Sequence, residues 1–426
     1  MKKVLVITYY WPPAGGPGVQ RWLKFVKYFP ENGIEPFVYI PENPHYPLVD
    51  TTFTSEMPKE TTIIKRPIKE PYGLAKLFSR KNTQKMSSGI ITPQQPSLLS
   101  ELMLFVRGNL FIPDARVGWV KPSVSYLSKY LVEHNIDTIV TTGPPHSLHL
   151  IGMQLKEKLG IRWVADFRDP WTTIHYHNSL RLTKASEKKH KELERQVLTK
   201  ADQITVTSPT TKKEFQAITS QPIAVITNGF EEQQFQEPSL DTSFSIAHIG
   251  SLLTERNPLI LWEALKELKE EHSAFKADLS LVFAGVVSDT VKDSLETFGL
   301  TDQAEMKGYI PHEDALYLQR SSQLLLLLEI DRPETKAIIP GKLFEYLQAR
   351  RPIIAIGPEG SDMEAILTST KSGQFFTHQN KPAVKAHILA CYNQYLQDDL
   401  QNNRASIAHF SRENLTTDMA TLLKSL

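Results

Sequence analysis

Short apolar runs alternate with longer amphipathic ones along most of this chain, the pattern of parallel strands joined by crossover helices. Residues 4–8, 37–40, 62–66, 138–142, 163–167, 203–207 and 224–227 predict a first series of strands. Between them, residues 20–29, 122–133 and 147–159 carry apolar side chains at helical spacing. The sequence turns polar over residues 228–241 (NGFEEQQFQEPSLD). A second series of strands is then predicted at 244–249, 279–284, 305–309, 324–329, 353–356 and 374–377. The fold class is therefore α/β, with mostly parallel sheets in two domains. The pattern places a first domain at residues 1–230, a linker at 231–242, a second domain at 243–400 and a final helix at 401–426 that crosses back to the first.

Residues 70–119 break the alternation. They hold no clean strand and set SRKNTQKMSSG beside the apolar run LLSELMLFVRGNLFI at 98–112. Basic residues next to apolar side chains suit an anionic membrane face, with Lys76, Arg80, Lys81 and Lys85 as the cations. The other reading is a helical insertion that covers the first sheet, plus a polar loop.

A length of 426 residues suits two cores, and 41% hydrophobic with 22% charged residues is the composition of a globular protein. The net charge of +1 argues against a nucleic-acid partner. Cys391 is the single cysteine, expected half-buried on a helix, so no internal disulfide can form. The start, MKKVLVITYYWPP, reads as a strand and not as a signal peptide, and no apolar run reaches the roughly 18 residues of a membrane span. A cytoplasmic location is expected, with peripheral contact to the inner face of the cell membrane left open.

Candidate chemistry gathers where strands end. PGKLFEYLQARRP, residues 340–352, lies between QLLLLLE and PIIAIG and predicts a helix between parallel strands. Its amino end offers unpaired N–H groups and partial positive charge to an anion. Lys342 adds a full charge there, and Glu345 could accept hydrogen bonds from sugar hydroxyls; an ordinary crossover helix with a solvated Glu is the alternative. After the first strand, Gly15, Gly16 and Gly18 in TYYWPPAGGPGVQR would let a phosphate or sugar approach the backbone, or would merely allow tight packing. Arg21 stands where a dinucleotide fingerprint needs its third glycine, and no P-loop is present.

GPPHSLHL places His146 at a strand end, where it could meet a sugar hydroxyl or a reacting centre, whereas His149 is expected to pack on its helix. ADFRDPWT collects Asp166, Arg168, Asp169 and Trp171. An acid beside an aromatic ring suits carbohydrate, and a buried Asp166–Arg168 pair holding the loop is the competing reading. His175, Tyr176 and His177 are expected in solvent, and neither metal-ligand spacing nor a G-x-S-x-G elbow occurs. HIGSLLTERNP ends a strand at Gly250 and carries Arg256; facing Lys342 across the sheet edge, that cation would make a diphosphate clamp.

Taken in order, these segments resemble family 4 of the retaining glycosyltransferases, whose GT-B architecture has two facing Rossmann-like domains. The likeness covers nearly the whole chain: AGGPG, PPHS, TVTSP, VITNGFEEQQF, IGSLLTERNP, MKGYIPHEDALYLQRSSQLLLL and KLFEYLQARRPIIA. YYWPPAGGPGVQR and ADFRDPW look most like the branch that builds bacterial surface polysaccharides. The resemblance implies that Gly16 offers its N–H to the donor diphosphate and that His146 contacts the transferred sugar near its reacting carbon. It also aligns Arg256 with a diphosphate-binding Lys, and Glu345 with the ribose-holding second acid of Glu-x7-Glu. His146 and Asp169 are the catalytic candidates; Gly16, Arg256, Lys342 and Glu345 are the donor-binding ones.

Two positions depart from the family: Ala337 replaces the first acid of that motif, and Ser251 its arginine after the strand glycine. Lys342 could offset the lost arginine charge, and Glu334 could supply a carboxylate. The implied activity is a metal-independent retaining transfer from a nucleotide-diphosphate sugar, with no cofactor, onto a hydroxyl of a glycan or lipid-linked glycan. A nucleotide-sugar epimerase of the same architecture and a degenerate glycan-binding subunit are the alternatives.

Overall fold

The computed structural model describes residues 1–58, 60–70, 98–232, 238–400 and 405–426. The chain divides into two units, Met1–Asn228 with Arg412–Leu426, and Gly229–Ser411. In the first, the elements in order are β1 (Lys2–Ile7), α1 (Pro17–Tyr28), β2 (Ile34–Pro41), β3 (Thr62–Arg66), α2 (Leu98–Leu110), α3 (Val120–Glu133), β4 (Thr138–Gly143), α4 (Ser147–Leu159), β5 (Arg162–Phe167), α5 (Lys184–Lys200), β6 (Gln203–Val206), α6 (Pro209–Gln216) and β7 (Ile223–Val225). Every pairing is parallel, in the order β3-β2-β1-β4-β5-β6-β7. The sheet grows one way to β3, then restarts at β4 beside β1. That reversal makes a crevice at the carboxyl ends of β1 and β4.

The second unit holds β8 (Phe244–Ile249), α7 (Leu259–Glu271), α8 (Ser273–Asp278), β9 (Leu279–Ala284), α9 (Asp289–Thr297), β10 (Ala304–Gly308), α10 (His312–Ser321), β11 (Leu324–Leu328), α11 (Lys342–Ala349), β12 (Ile353–Ile356), α12 (Asp362–Thr370), β13 (Gly373–Phe376) and α13 (Lys381–Tyr395). Its parallel order β10-β9-β8-β11-β12-β13 reverses between β8 and β11. Strands covered on both faces need side chains that are apolar throughout, and β11, LLLLL, is buried at every position. Cys391 on α13 is fully buried and not half-buried, because α13 packs this face into the core around Phe244 and Tyr392.

The last helix, α14 (Arg412–Ser425), belongs to the first unit. Leu415, Met419, Ala420 and Leu423 share a core with Val19, Trp22, Leu23 and Val26 of α1, and Lys2 donates to the Leu423 carbonyl at 2.7 Å. The apolar run at 98–112 is largely helical. Gly108 of α2 lies so close to Leu180 and Leu182 that a Cβ would meet them at 2.7–3.0 Å, while Leu102, Phe105 and Leu110 are exposed. Lys76, Arg80, Lys81 and Lys85 lie outside the described residues. Among the described residues, no helix is long and apolar enough to cross a membrane.

One fully buried carboxylate ties the first sheet to its helix. Asp166 on β5 accepts from Arg21 Nη2 at 2.9 Å and Nε at 3.3 Å, from Trp22 Nε1, and from the Thr142 and Thr205 hydroxyls, the last three at 2.8 Å. Burial alone would raise this carboxyl, but the Arg21 charge and these hydrogen bonds hold it below its ordinary value. The arginine paired with Asp166 is therefore Arg21 and not Arg168. Asp166→Asn leaves Arg21 buried and uncompensated, and is expected to cost about 3–5 kcal/mol in denaturant unfolding. Because the folded carboxyl titrates below its unfolded value, the contribution is full above that value and lost as pH falls through the folded one.

Candidate active site

At the reversal point of the second sheet, the backbone itself is brought close. Gly250 after β8 sits at φ +115°, and a Cβ on Gly285 after β9 would lie 2.6 Å from the Gly250 carbonyl oxygen. Lys342, the first residue of α11, reaches across Gly250, where a Cβ would be 3.0 Å from its Nζ. Its Nζ donates to His248 Nε2 at 3.1 Å, while His248 Nδ1 donates to the Leu326 carbonyl at 2.9 Å. Burial, then the Lys342 charge, keep His248 neutral, so its Nε2 lone pair is free to accept. Burial and the Arg256 charge push the Lys342 ammonium down to about 7, against the pull of Glu329 and Glu345.

Arg256, in a short 3-10 turn after β8, donates to Glu329 Oε1 at 3.1 Å. Glu329 is buried and also accepts from the Ile330 N–H at 2.8 Å. Glu345, in the first turn of α11, is half-buried and accepts from Gln319 Nε2 at 2.9 Å. Tyr346 beside it takes the Ile249 N–H at 2.9 Å, pinning α11 to the end of β8. Arg256, Lys342 and Glu345 thus lie close together beyond the end of β8. Glu334 is exposed in the turn Pro333–Thr335, and Ala337 carries no acid.

The first unit repeats the arrangement with different chemistry. Gly16 caps α1 at φ +93° with no side-chain cap and no acid in the first turn; a Cβ there would touch nothing, so φ alone calls for glycine. His146 follows β4 and is buried with neither ring nitrogen hydrogen-bonded. It stacks on Trp171 with centroids 5.0 Å apart and planes 2° from parallel. Burial, helped by His149 and the Arg168 charge, drives its pKa far below the usual range, so the ring is a neutral imidazole. Asp114 receives the Ser147 N–H at 2.8 Å and its hydroxyl at 2.9 Å, fixing the start of α4 and with it His146. Asp169 is half-buried in the loop after β5.

Several expectations are corrected. Asp166 is fully enclosed by Arg21, Trp22, Thr142 and Thr205 and offers no oxygen to a sugar. Trp171 is buried and its ring lies on His146, with its Nε1 donating to His190 Nδ1 at 3.1 Å. His177 is buried edge-on to His190 and not in solvent, and burial lowers it to about 4. Glu329, His248 and Gln319 were missed. The signal for Glu329 was present, since a charge closing a run of five leucines needs a counter-charge.

Residues 18–234 match the family model described as Glycosyltransferase Family 4, and residues 229–407 that of Glycosyl transferases group 1. The chain belongs to glycosyltransferase family 4. Similar solved structures include Anabaena HepE in complex with UDP, 14% identical with TM-score 0.63 over 100% of both chains. Sucrose-phosphate synthase from Thermosynechococcus elongatus is 11% identical with TM-score 0.62 over 100% of this chain and 99% of that one. UDP-GlcNAc 2-epimerase from Methanocaldococcus jannaschii is 10% identical with TM-score 0.52 over 100% of both. No curated protein matches by sequence. The likeness and the two parallel sheets make this glycosyltransferase a GT-B protein.

A nucleoside diphosphate, if bound beside Lys342 of the glycosyltransferase, would raise its pKa again. Affinity is therefore expected to fall above pH 7, by up to about tenfold per pH unit, with Lys342→Met flattening the profile. Titration calorimetry across that range checks this. Without ligand the sign reverses: unfolding lets Lys342 take up a proton, so its contribution to stability rises with pH between the folded and unfolded values.

Proposed function

We propose that this glycosyltransferase is a retaining, metal-independent hexosyltransferase of cell-surface polysaccharide synthesis. It moves a sugar from a nucleotide-diphosphate donor to a hydroxyl of a glycan or lipid-linked glycan. The observation that carries the reading is the grouping of Arg256 and Lys342 beside Gly250, with Glu345 one turn into α11. Two cations and a helix end give a departing diphosphate the counter-charge that a metal ion supplies elsewhere. Glu345 would exchange Gln319 for the ribose hydroxyls, a bidentate fit for a carboxylate.

In the transfer, the bond from the sugar's anomeric carbon to the diphosphate oxygen breaks as the acceptor oxygen bonds on the same face. The acceptor proton passes to the leaving phosphate oxygen, so no protein base is required. His146, neutral and with both ring nitrogens open, and Asp169 are the first-unit contacts proposed for the sugar, with Gly16 offering its N–H to the diphosphate.

Incubation with a panel of nucleotide sugars, with and without glycan acceptors, tests the reading: donor consumption and transfer with retained anomeric configuration are expected. Reversible conversion of donor without acceptor would instead reveal an epimerase, the activity named for one protein of similar fold. Binding of glycan without turnover would mean a degenerate subunit. Glu345→Ala is expected to weaken nucleotide binding about 10- to 150-fold by calorimetry. His146→Ala should lower kcat more than donor affinity, and a fall in melting temperature alone would make it a core residue.

A lipid-linked acceptor brings the first unit to a bilayer surface, where the exposed Leu102, Phe105 and Leu110 of α2 would enter the lipid interface. Sedimentation with anionic liposomes is expected for the full chain and should be lost when these three become Ser. Equal recovery in the supernatant for both would leave a soluble acceptor.

A further inference from the structure

His190 and Glu194 are polar side chains buried on a helix whose neighbouring residues face water. On α5, Lys188, Lys189, Lys191 and Arg195 are exposed, whereas His190 and Glu194, one turn apart on the same face, are 1% and 3% exposed. A carboxylate taken out of water is costly unless it is well paired, so apolar side chains would be the cheaper filling here. No cation pairs with Glu194 among the described residues; burial raises its pKa, and only hydrogen bonds work against this.

Both side chains grip the same stretch of irregular backbone after β5. Glu194 accepts from the Thr172 N–H at 3.1 Å and from the Thr172 hydroxyl, and the Trp171 N–H acts on it too. His190 Nδ1 accepts from the Trp171 indole N–H at 3.1 Å, which leaves its own proton on Nε2, 3.4 Å from the Gly108 carbonyl of α2. Burial lowers the His190 pKa, so Nδ1 keeps its lone pair. Trp171 is therefore held at its backbone and at its ring, with the indole face parallel to His146 at 5.0 Å between centroids. His149 and Phe167 also lie near that imidazole, each tilted by more than 30° at 5.8 Å. Neither His146 nitrogen has a hydrogen-bond partner, so its orientation comes from these ring contacts.

We infer that His190 and Glu194 are positioning residues for His146: they fix Trp171, and the indole face fixes the imidazole. An imidazole that must offer both nitrogens to a substrate cannot be anchored through either, and its flat face is the handle that remains. The use made of the ring rests on the transferase reading; the positioning itself does not.

The test uses the full chain, His190→Leu, His190→Gln and Glu194→Gln, each checked for folding by melting temperature. The first readout is the His146 ring resonance in protein carrying isotope-labelled histidine, assigned by its absence in His146→Ala. Stacking on Trp171 should shift it upfield in the wild type, and His190→Leu and Glu194→Gln should move it back. His190→Gln, whose amide can accept from the indole and donate to Gly108, should largely keep it. The second readout is sugar transfer: kcat is expected to fall about 10- to 100-fold in His190→Leu with UDP affinity unchanged, and to recover in His190→Gln. Added to His146→Ala, His190→Leu should lower kcat no further. An unmoved resonance in the folded variants, an unchanged kcat, or a loss that repeats in full in His146→Ala overturns the inference. A resonance that moves in a protein transferring no sugar would keep the positioning and remove the transferase; sugar transfer with an unmoved resonance would do the reverse.

Discussion

Asp166 takes five hydrogen bonds from side chains on α1, β4 and β6, and it sits on β5 itself. Each of those bonds is made in a dry interior where an unpaired charge costs several kcal/mol, so none of the four elements can shift without exposing the cost. The glycine turn leads into α1, the His146 turn leaves β4, and the Arg168 loop leaves β5. All three turns are thus measured from one carboxylate, which is itself fully enclosed.

The two units solve the same geometric problem with opposite charge arrangements. Each sheet reverses its strand order once, and each gathers glycines and polar side chains at the reversal. In the second unit three of the charges at the reversal have companions: Arg256 with Glu329, Lys342 with His248, Glu345 with Gln319. Those contacts hold the groups in place and can be exchanged for a ligand's oxygens at small net cost. In the first unit, Arg168 Nε and both nitrogens of His146 are buried without a hydrogen-bond partner among the described residues.

Strand positions were legible because strands buried on both faces are largely apolar, and Phe244–Ile249, Leu279–Ala284 and Ile353–Ile356 match to the residue, as does the edge strand Thr62–Arg66, of which Ile64 alone is buried. Glycine turns and strand-end histidines were legible for a similar reason, since few residue types fit there. Pairing was not. Asp166 and Arg168 are two apart, a spacing that would put them on one face of a continuing strand, but β5 ends at Phe167 and the bend there turns Arg168 away toward Gly18. The arginine that does reach Asp166 comes from 145 residues earlier, and nothing in local spacing reveals such a separation. The burial of His177 escaped notice because its cover, His190 on α5, is likewise supplied by tertiary packing.

The return of α14 to the first unit gives the molecule an assembly order. The second unit is an unbroken stretch, Gly229–Ser411, whereas the first needs Leu415, Met419 and Leu423 to close the apolar face of α1. α14 follows the second unit directly in the chain, so the face of α1 can be closed only after the whole of the second unit has been synthesised. Until then, the face of α1 that carries Trp22 and Val26 lacks its last cover. The domain encoded first is therefore the domain completed last, and the newborn chain depends longest on protection at the unit that begins it.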